Sequence, residues 1–307
     1  MISSSDKFKA LRICISCIGL VGNVFLILSI FQTKFSRLKS FELFLLGLAA
    51  ANLEEIVIVN IFDIIINQPS TTVSTWSCRS LKLLTVFGEI SSILFTVLIS
   101  IFRCQKLRDA HKRGNLPIFL DSIRSAWLVS GLCVMLSALL SVPTFVINLQ
   151  HSVDNITVNN SDCSPDFFLC RKDYYPILNC AYKYLFILVC NFLPLIIVTV
   201  SGCLIIAVLL SQRKTVTTVV SVSGTGQFDR KRNGFRIQRS TVAVLAAMAL
   251  FQVDWTIYLL FQLTSDPTDF PFWAEVEFCI STSYTSLSPY VYGIGNNLFS
   301  HKNFIKK

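Results

Sequence analysis

Residues 179–211 read NCAYKYLFILVCNFLPLIIVTVSGCLIIAVLLS, a stretch whose one charged side chain is that of Lys183. A helix of about 20 apolar residues crosses the hydrocarbon layer of a bilayer, which is about 30 Å thick, because each residue adds about 1.5 Å. Lipid offers the backbone no hydrogen-bond partners, so a segment that crosses it must pair its own N–H and C=O groups. The stretch therefore predicts a membrane-spanning helix.

The same pattern recurs along the chain. The predicted spans are residues 10–31, 42–66, 78–102, 125–147, 179–211, 240–263 and 271–294. The composition agrees, since 53% of the residues are hydrophobic and 15% are charged, whereas about 25% are charged in a typical soluble domain. We predict an all-α membrane protein in which residues 1–307 form one bundle of seven transmembrane helices.

The basic residues predict how this bundle lies in the membrane. Most of the 27 lysines and arginines fall in loops that share one side, and cytoplasmic loops are enriched in these residues. The N-terminus is therefore predicted outside and the C-terminus in the cytoplasm, in a multi-pass protein of the plasma membrane. Residues 296–305 combine apolar residues at helical spacing with basic neighbours, which predicts an amphipathic helix in contact with lipid on the inner face.

Two sequence patterns belong to the predicted outer side. Asn155-Ile156-Thr157 and Asn159-Asn160-Ser161 are acceptor motifs for N-glycosylation. Both fall in the loop that charge places outside, so Asn155 and Asn159 are predicted to be glycosylated.

The cysteines on that side predict a disulfide bond, because the extracellular environment is oxidising. Cys78 stands at the outer end of the third span, and its predicted partner is Cys170, with Cys163 as the alternative. Cys170 is favoured because it lies closer to the fifth span. The remaining loop cysteine pairs with Cys180 or stays free, since sequence does not fix connectivity.

Motifs for catalysis are missing from the sequence. It contains no Gly-rich phosphate loop and no cluster of metal ligands, its three histidines fall in loops or the tail, and Asp254 is the only aspartate deep in a span. We therefore predict no enzyme, no cofactor and no metal site, and the net charge of +9 reflects topology rather than nucleic-acid binding. A transporter or channel is the alternative class, disfavoured because the inner halves of the spans hold few polar residues. Binding and signalling remain.

A set of short motifs, one in each span, points to a family. They are Gly22-Asn23, Leu48-Ala49-Ala50-Ala51-Asn52, Cys78 followed 25 residues later by Arg103, Trp127, Pro194, Phe251-x-x-Asp254-Trp255 and Pro289-x-x-Tyr292. In this order the set resembles the rhodopsin-like G-protein-coupled receptors over nearly the whole chain. The resemblance implies a receptor that activates a heterotrimeric G protein, in which Arg103, Asn52, Pro289 and Tyr292 serve coupling and activation.

The departures from that family narrow the resemblance. Phe102-Arg103-Cys104 stands where the family has an acidic-Arg-Tyr triplet, Asn52 replaces an Asp, and Ser288 replaces an Asn before Pro289. This pattern is similar to the vomeronasal type 1 receptors and to their fish relatives, the olfactory receptors related to class A. It implies a chemosensory receptor for a small-molecule odorant or pheromone. A bitter-taste-type receptor is the alternative, although that type lacks the Pro-x-x-Tyr pattern.

Ionisable and aromatic residues at membrane depth predict the ligand site, because such ionisable groups are costly in lipid and by default functional. The predicted ligand-binding residues are Glu89, Lys183, Asp254, Trp255, Tyr258 and Tyr284. Their mixed charge leaves two ligand classes open, an amine bound by Glu89 or an acid bound by Lys183 and Arg79. Glu54 and Glu55 are consecutive, so we do not expect both to face one cavity. Phe102 cannot pair with Arg103, which predicts weak restraint of Arg103 and signalling without ligand.

Overall fold

A computed structural model describes the chain in seven continuous stretches. They are residues 4–32, 38–66, 75–112, 119–154, 177–219, 228–264 and 273–295. The predicted glycosylation sites Asn155 and Asn159, the cysteines Cys163 and Cys170, and the predicted amphipathic helix 296–305 lie outside these stretches.

Each described stretch is built around one long helix. The helices are α1 (Ser4–Phe31), α2 (Ser40–Ile66), α3 (Thr75–Lys112), α4 (Ile123–Asp154), α5 (Ile177–Phe186, continued through Ile187–Phe192 and Leu193–Val219), α6 (Phe228–Thr264) and α7 (Trp273–Gly295). A short 3₁₀ turn, Phe119–Asp121, precedes α4. α3 runs on to Lys112 where the prediction ended at residue 102. The apolar pattern ends at the membrane surface, whereas the hydrogen bonds of the helix continue beyond it.

Six of these helices are long and apolar enough to cross a membrane, and α7 is the exception among the described residues. Its sequence, WAEVEFCISTSYTSLSPYVYGIG, is rich in hydroxyl groups. Those hydroxyls bond back to the preceding turn: Thr282 donates to the carbonyl of Phe278 at 2.6 Å and Thr285 to that of Thr282 at 3.0 Å. Internal bonds of this kind allow buried serines and threonines inside a helix.

α3 lies at the centre of the bundle. About 72% of its apolar window is buried within the protein, against 22% for α4. α3 packs against α2, α4 and α5, while α7 packs against α1 and α6. Gly22 allows α1 to lie close to α7, because a Cβ at this position would meet Pro289 and Tyr290 of α7. The Tyr290 hydroxyl donates across this contact to the Ile18 carbonyl at 2.8 Å.

The middle of α5 is a π-helical segment, Ile187–Phe192, and it ends with Leu193 donating its N–H to the Leu188 carbonyl. Pro194 follows at once and has no N–H to give, so the ordinary helical bond at this turn cannot form. Single turns of π-helix inside an α-helix occur frequently at functional sites. Here the segment lies in the first half of α5, toward the end of the bundle that is called outer after the predicted orientation, and its Cys190 packs with Val86 and Ile90 of α3.

Candidate functional site: a polar network and an acidic cluster

Four helices meet in a polar network around Asn52. The Asn52 amide donates to Asn23 of α1 at 3.3 Å and to Ser288 of α7 at 3.2 Å. Ser92 of α3 donates to the Asn52 carbonyl oxygen at 2.7 Å. Asn23 in turn donates to the Thr285 carbonyl at 2.9 Å. The side chains of this network are buried, so their mutual hydrogen bonds replace the missing solvent.

A row of aromatic side chains rises from this network along α6. Tyr284 of α7 shares a 2.8 Å hydrogen bond with Thr96 of α3 and packs edge-on against Phe251, with 5.3 Å between ring centroids. Phe251 lies 5.9 Å from Trp255, and Trp255 lies 5.0 Å from Tyr258. The row joins the centre of the bundle to its outer half, because Phe251, Trp255 and Tyr258 succeed one another along α6.

Arg103, near the inner end of α3, is held by an aromatic ring. Its guanidinium carbon lies 3.5 Å from the ring centroid of Phe41 on α2. That ring is stacked on Phe102, at 6.2 Å between centroids, and Phe102 meets Phe44 edge-on at 5.5 Å. A cation over an aromatic face is attracted by about 0.5–2 kcal/mol, more when it is desolvated. Phe41 therefore supplies a contact that the prediction of weak restraint of Arg103 did not include.

Tyr292 approaches the same arginine from α7. It is fully buried, and its hydroxyl interacts with Tyr284 and electrostatically with Arg103. Pro289 stands one turn earlier inside the helix, where its ring removes a backbone hydrogen bond and permits a bend. Arg103 and Tyr292 are thus close together, and Asn52 and Pro289 lie farther along the same bundle.

The half of the bundle that holds the first part of α3 contains a cluster of acidic side chains, and the buried cations Arg79 and Lys82 lie nearer its end. Glu89 of α3 is 8% exposed and interacts with the Tyr258 hydroxyl on α6. Tyr258 also interacts with Gln262, whose amide donates to Glu277 of α7 at 2.6 Å. These contacts join α3, α6 and α7 in one polar row that borders Trp255.

Glu54 and Glu55 of α2 both approach α3 at Gly88. Glu55 is 2% exposed and is an electrostatic neighbour of Glu89. The Glu54 carboxylate lies where a Cβ on Gly88 would stand. The reason is the flexible side chain of Glu54, which reaches round the helix into space that only a glycine leaves open. The sequence features that indicate this contact are the pair Gly88-Glu89 on α3 and the pair Glu54-Glu55 on α2.

The other predicted ligand residues are distributed along the bundle. Trp255 and Tyr258 lie beside Glu89, while Tyr284 lies deeper, at Thr96, about two helical turns from Glu89 along α3. Asp254 is half-buried and interacts with Ser283 of α7. Lys183 is half-exposed on the outer part of α5 and makes no hydrogen bond or ion pair with the residues that the structure describes. Glu89, Trp255 and Tyr258 form the compact part of the site.

Disulfide bonds mark the end of the bundle nearest this pocket. Cys78 on α3 and Cys180 on α5 are both disulfide-bonded. Since Cys163 and Cys170 lie outside the described residues, the pairing of Cys78 with Cys170 stays a prediction.

Comparison with known sequences agrees with this arrangement. The sequence model of the family described as 7 transmembrane receptor (rhodopsin family) matches residues 22–292. The chain belongs to the rhodopsin family of seven-transmembrane receptors. A gonadotropin-releasing hormone receptor of Octopus vulgaris is 26% identical over 300 residues, which cover 90% of this chain and 67% of that receptor.

A rhodopsin-family receptor is a signalling protein and not an enzyme. The chain is therefore a multi-pass protein of the plasma membrane that responds to a ligand and couples to a heterotrimeric G protein. Membership in a receptor family removes the transporter or channel that the sequence left as an alternative class. The vomeronasal-like branch is a finer assignment that the family match does not make.

The chain has the arginine that is expected at this position of α3, Arg103, but the residues around it differ from those expected. The acidic neighbour of that arginine is replaced by Phe102, which packs against Phe44 and Phe41 instead of pairing with Arg103. Lys106, one turn further, forms an ion pair of 2.8 Å with Asp121 before α4. The inner ends of α2, α3 and α4 are thus tied together by aromatic and ionic contacts, and the arginine is restrained by a ring.

Proposed function

We propose that the chain is a chemosensory receptor of the pheromone or olfactory type. It binds a small extracellular molecule between α3, α5, α6 and α7 and activates a heterotrimeric G protein. The observation that carries the proposal is Glu89, a buried carboxylate at the level of Trp255 and Tyr258. A few polar groups within an apolar and aromatic lining are typical of small-molecule sites. The proposed site also includes Lys183 of α5, Asp254 of α6 and Tyr284, whose ring packs against Phe251.

The proposed orientation has the N-terminus outside and the C-terminus in the cytoplasm. The disulfide-bonded Cys78 and Cys180 support it, because disulfide bonds persist on the oxidising side of a membrane. The proposal includes the pairing of Cys78 with Cys170, glycosylation at Asn155 and Asn159, and contact of residues 296–305 with lipid on the inner face.

Arg103, Asn52, Pro289 and Tyr292 are proposed to carry the signal inward. A ligand shifts the population toward an active state only if it binds that state better than the resting one. The bend at Pro289 and the contacts of Tyr292 with Tyr284 and Arg103 give α7 a mechanical link between the outer aromatic row and the inner arginine. The polar network around Asn52 fixes the four helices about which this movement occurs.

The test is G-protein activation in cells that display the full chain at their surface. The probes are small amines, carboxylic acids and sulfated steroids. A response that vanishes in Arg103→Ala and persists in Arg108→Ala supports the proposal, since Arg108 is an exposed arginine on the same end of α3. Surface expression of each variant is measured in parallel. A receptor that is displayed and answers none of these molecules contradicts it.

A peptide-hormone receptor is the second candidate, and the similarity to the octopus gonadotropin-releasing hormone receptor favours it. The same cells are exposed to gonadotropin-releasing hormone peptides, because that is the ligand named for the octopus receptor. Activation by peptides at nanomolar concentration, with no response to small molecules, would replace the chemosensory assignment.

A further inference from the structure

The last turn of α7 is hydrogen-bonded to α6 at the inner end of the bundle. The Arg239 guanidinium of α6 donates to the Ile294 carbonyl of α7 at 3.3 Å. Ile294 is the residue before Gly295, at which α7 ends. The carbonyl end of a helix carries a partial negative charge, so a cationic donor is favourably placed there. The bond joins two helices that are 55 residues apart along the chain.

Gly295 brings the same two helices close together. A Cβ added to Gly295 would overlap the side chain of Ala243 on α6 and would lie 3.4 Å from the Ala243 Cα. Ala243 is itself buried, so the position of α7 here requires a residue without a side chain. Small residues let the backbones of two membrane helices approach closely. Arg239, Ala243, Ile294 and Gly295 together form what we call the inner α6–α7 contact.

This contact lies next to the tyrosine that faces Arg103. Tyr292 precedes Ile294 by two residues and is fully buried. It interacts electrostatically with Arg103 of α3. The position of Tyr292 beside Arg103 therefore depends on where the last turn of α7 is held.

The other printed contacts between α6 and α7 lie on the far side of Pro289. Phe251 packs edge-on against Tyr284 at 5.3 Å, and Gln262 donates to Glu277 at 2.6 Å. Pro289 permits a bend in α7 because its ring removes a helical hydrogen bond. A bend there moves the last turn of α7 relative to α6 and must break the inner contact, while the contacts before the proline remain.

We propose that the inner α6–α7 contact is autoinhibitory: it holds the last turn of α7 so that Tyr292 stays beside Arg103 and the receptor stays at rest. The inference rests on the proposed signalling roles of Arg103 and Tyr292. Weakening a contact that only the resting state makes raises the population of the active state without ligand. The restraint acts between α6 and α7, and is separate from the ring of Phe41 on α2.

The experiment measures ligand-free G-protein activation by the full chain, divided by the amount of receptor at the cell surface. Arg239→Met keeps a long side chain and removes the donor and the charge, and we expect a rise of about two- to fivefold. Arg239→Lys retains a charged donor and should lie between Arg239→Met and the unchanged chain. Arg108→Met is the matched control, because Arg108 is an exposed arginine near the inner end of α3. It should leave ligand-free signalling unchanged.

A second pair of variants tests the glycine. Gly295→Ala forces α6 and α7 apart and should raise ligand-free signalling at least as much as Arg239→Met. Gly19→Ala overpacks α7 from the side of α1, at Ser286, and should lower the unfolding temperature without raising that signalling. Arg239→Met and Gly295→Ala act on one contact, so the rise in the double variant should be smaller than the product of the two single rises.

The outcomes separate this inference from the proposed function. Unchanged or reduced ligand-free signalling in both Arg239→Met and Gly295→Ala, at normal surface expression, overturns the autoinhibitory contact. An equal rise in Gly19→Ala, or a rise that persists when Arg103→Ala is added, also overturns it. If the contact fails in this way while a small molecule still activates the receptor through Arg103, the proposed function stands. A rise in both variants of a receptor that only peptides activate would keep the contact and replace the chemosensory assignment.

Discussion

The network around Asn52 and the carboxylates around Glu89 are both buried polar clusters between α2 and α3, yet they are built in opposite ways. In the first cluster the Asn52 amide makes three hydrogen bonds to other helices. In the second cluster, buried oxygens of three glutamates have no partner. The two clusters are separated by less than one turn of α2, since Glu54 and Glu55 stand two and three residues after Asn52.

The contrast teaches that burial alone does not distinguish structure from function. A satisfied polar group stabilises the helix contacts that satisfy it, whereas an unsatisfied one lowers stability and is kept for another reason. Substitutions in the two clusters should therefore change the free energy of unfolding with opposite signs. Four experiments break or sharpen this comparison.

The largest effect is expected at the satisfied cluster. Asn52→Leu removes three interhelical hydrogen bonds, each worth roughly 0.6–1.7 kcal/mol in a membrane protein. We expect a loss of about 2–5 kcal/mol of unfolding free energy, measured by thermal unfolding of the purified receptor. Asn52→Asp is the matched variant, because it keeps the acceptor for Ser92 while it replaces the amide donor. Equal stability of Asn52→Leu and the unchanged chain would show that the network is dispensable.

The reverse sign is expected at the unsatisfied cluster. Glu55→Gln combined with Glu89→Gln removes two buried acids whose oxygens lack partners, and each unsatisfied group costs about 1–3 kcal/mol. We expect the double variant to unfold at a higher temperature than the unchanged chain and to respond less to ligand. A lower unfolding temperature would mean that these carboxylates already have stabilising partners, and the contrast between the clusters would disappear.

Substitutions at two glycines compare how tightly the helices pack near the two clusters. A Cβ on Gly19 would meet Ile56 and the backbone of Ser286, so Gly19→Ala overpacks the contact of α1 with α7 and should cost about 1–3 kcal/mol. A Cβ on Gly88 would meet chiefly the movable Glu54 carboxylate. Gly88→Ala should therefore cost less unfolding free energy than Gly19→Ala, measured by thermal unfolding. A larger cost at Gly88 than at Gly19 would indicate that the outer cluster is rigid.

The smallest effect concerns the ring that holds Arg103. Phe41→Leu keeps an apolar side chain and removes the ring face 3.5 Å from the guanidinium. A loss of about 0.5–1 kcal/mol of restraint should raise ligand-free G-protein activation roughly two- to fivefold at equal surface expression. Phe41→Tyr retains the ring and should behave like the unchanged chain. Equal basal signalling in the two variants would show that the ring of Phe41 does not restrain Arg103.

Much of the fold follows from the sequence, because hydropathy reports directly on the segments that cross the membrane. The polar network was predictable as well, since Asn23, Asn52, Ser92 and Ser288 stand at matching depths in four apolar spans. Its partners in the structure are those residues. A polar side chain inside the bilayer can pair only with the few other polar groups at the same depth. The small number of possible partners makes the prediction strong.

The remaining features depend on distances that a sequence does not encode. The ring under Arg103 comes from another helix, and nothing in the pattern of α2 distinguishes Phe41 from any other apolar residue. The approach of Glu54 to α3 needs both a flexible side chain and a glycine opposite it. The π-helical segment of α5 adds a shift in register that Pro194 permits but does not specify.

The hydroxyl-rich character of α7 has a consequence for how the receptor is made. A helix of low hydropathy enters the bilayer poorly by itself. The other six helices are long and apolar enough to cross a membrane, whereas the described part of α7 is not. Its hydrogen bonds to α1 and α2 come from Asn23 and Asn52, so its insertion is favoured by helices that the ribosome made first. A truncated nascent chain without α1 should therefore leave α7 outside the membrane, exposed to cellular quality control.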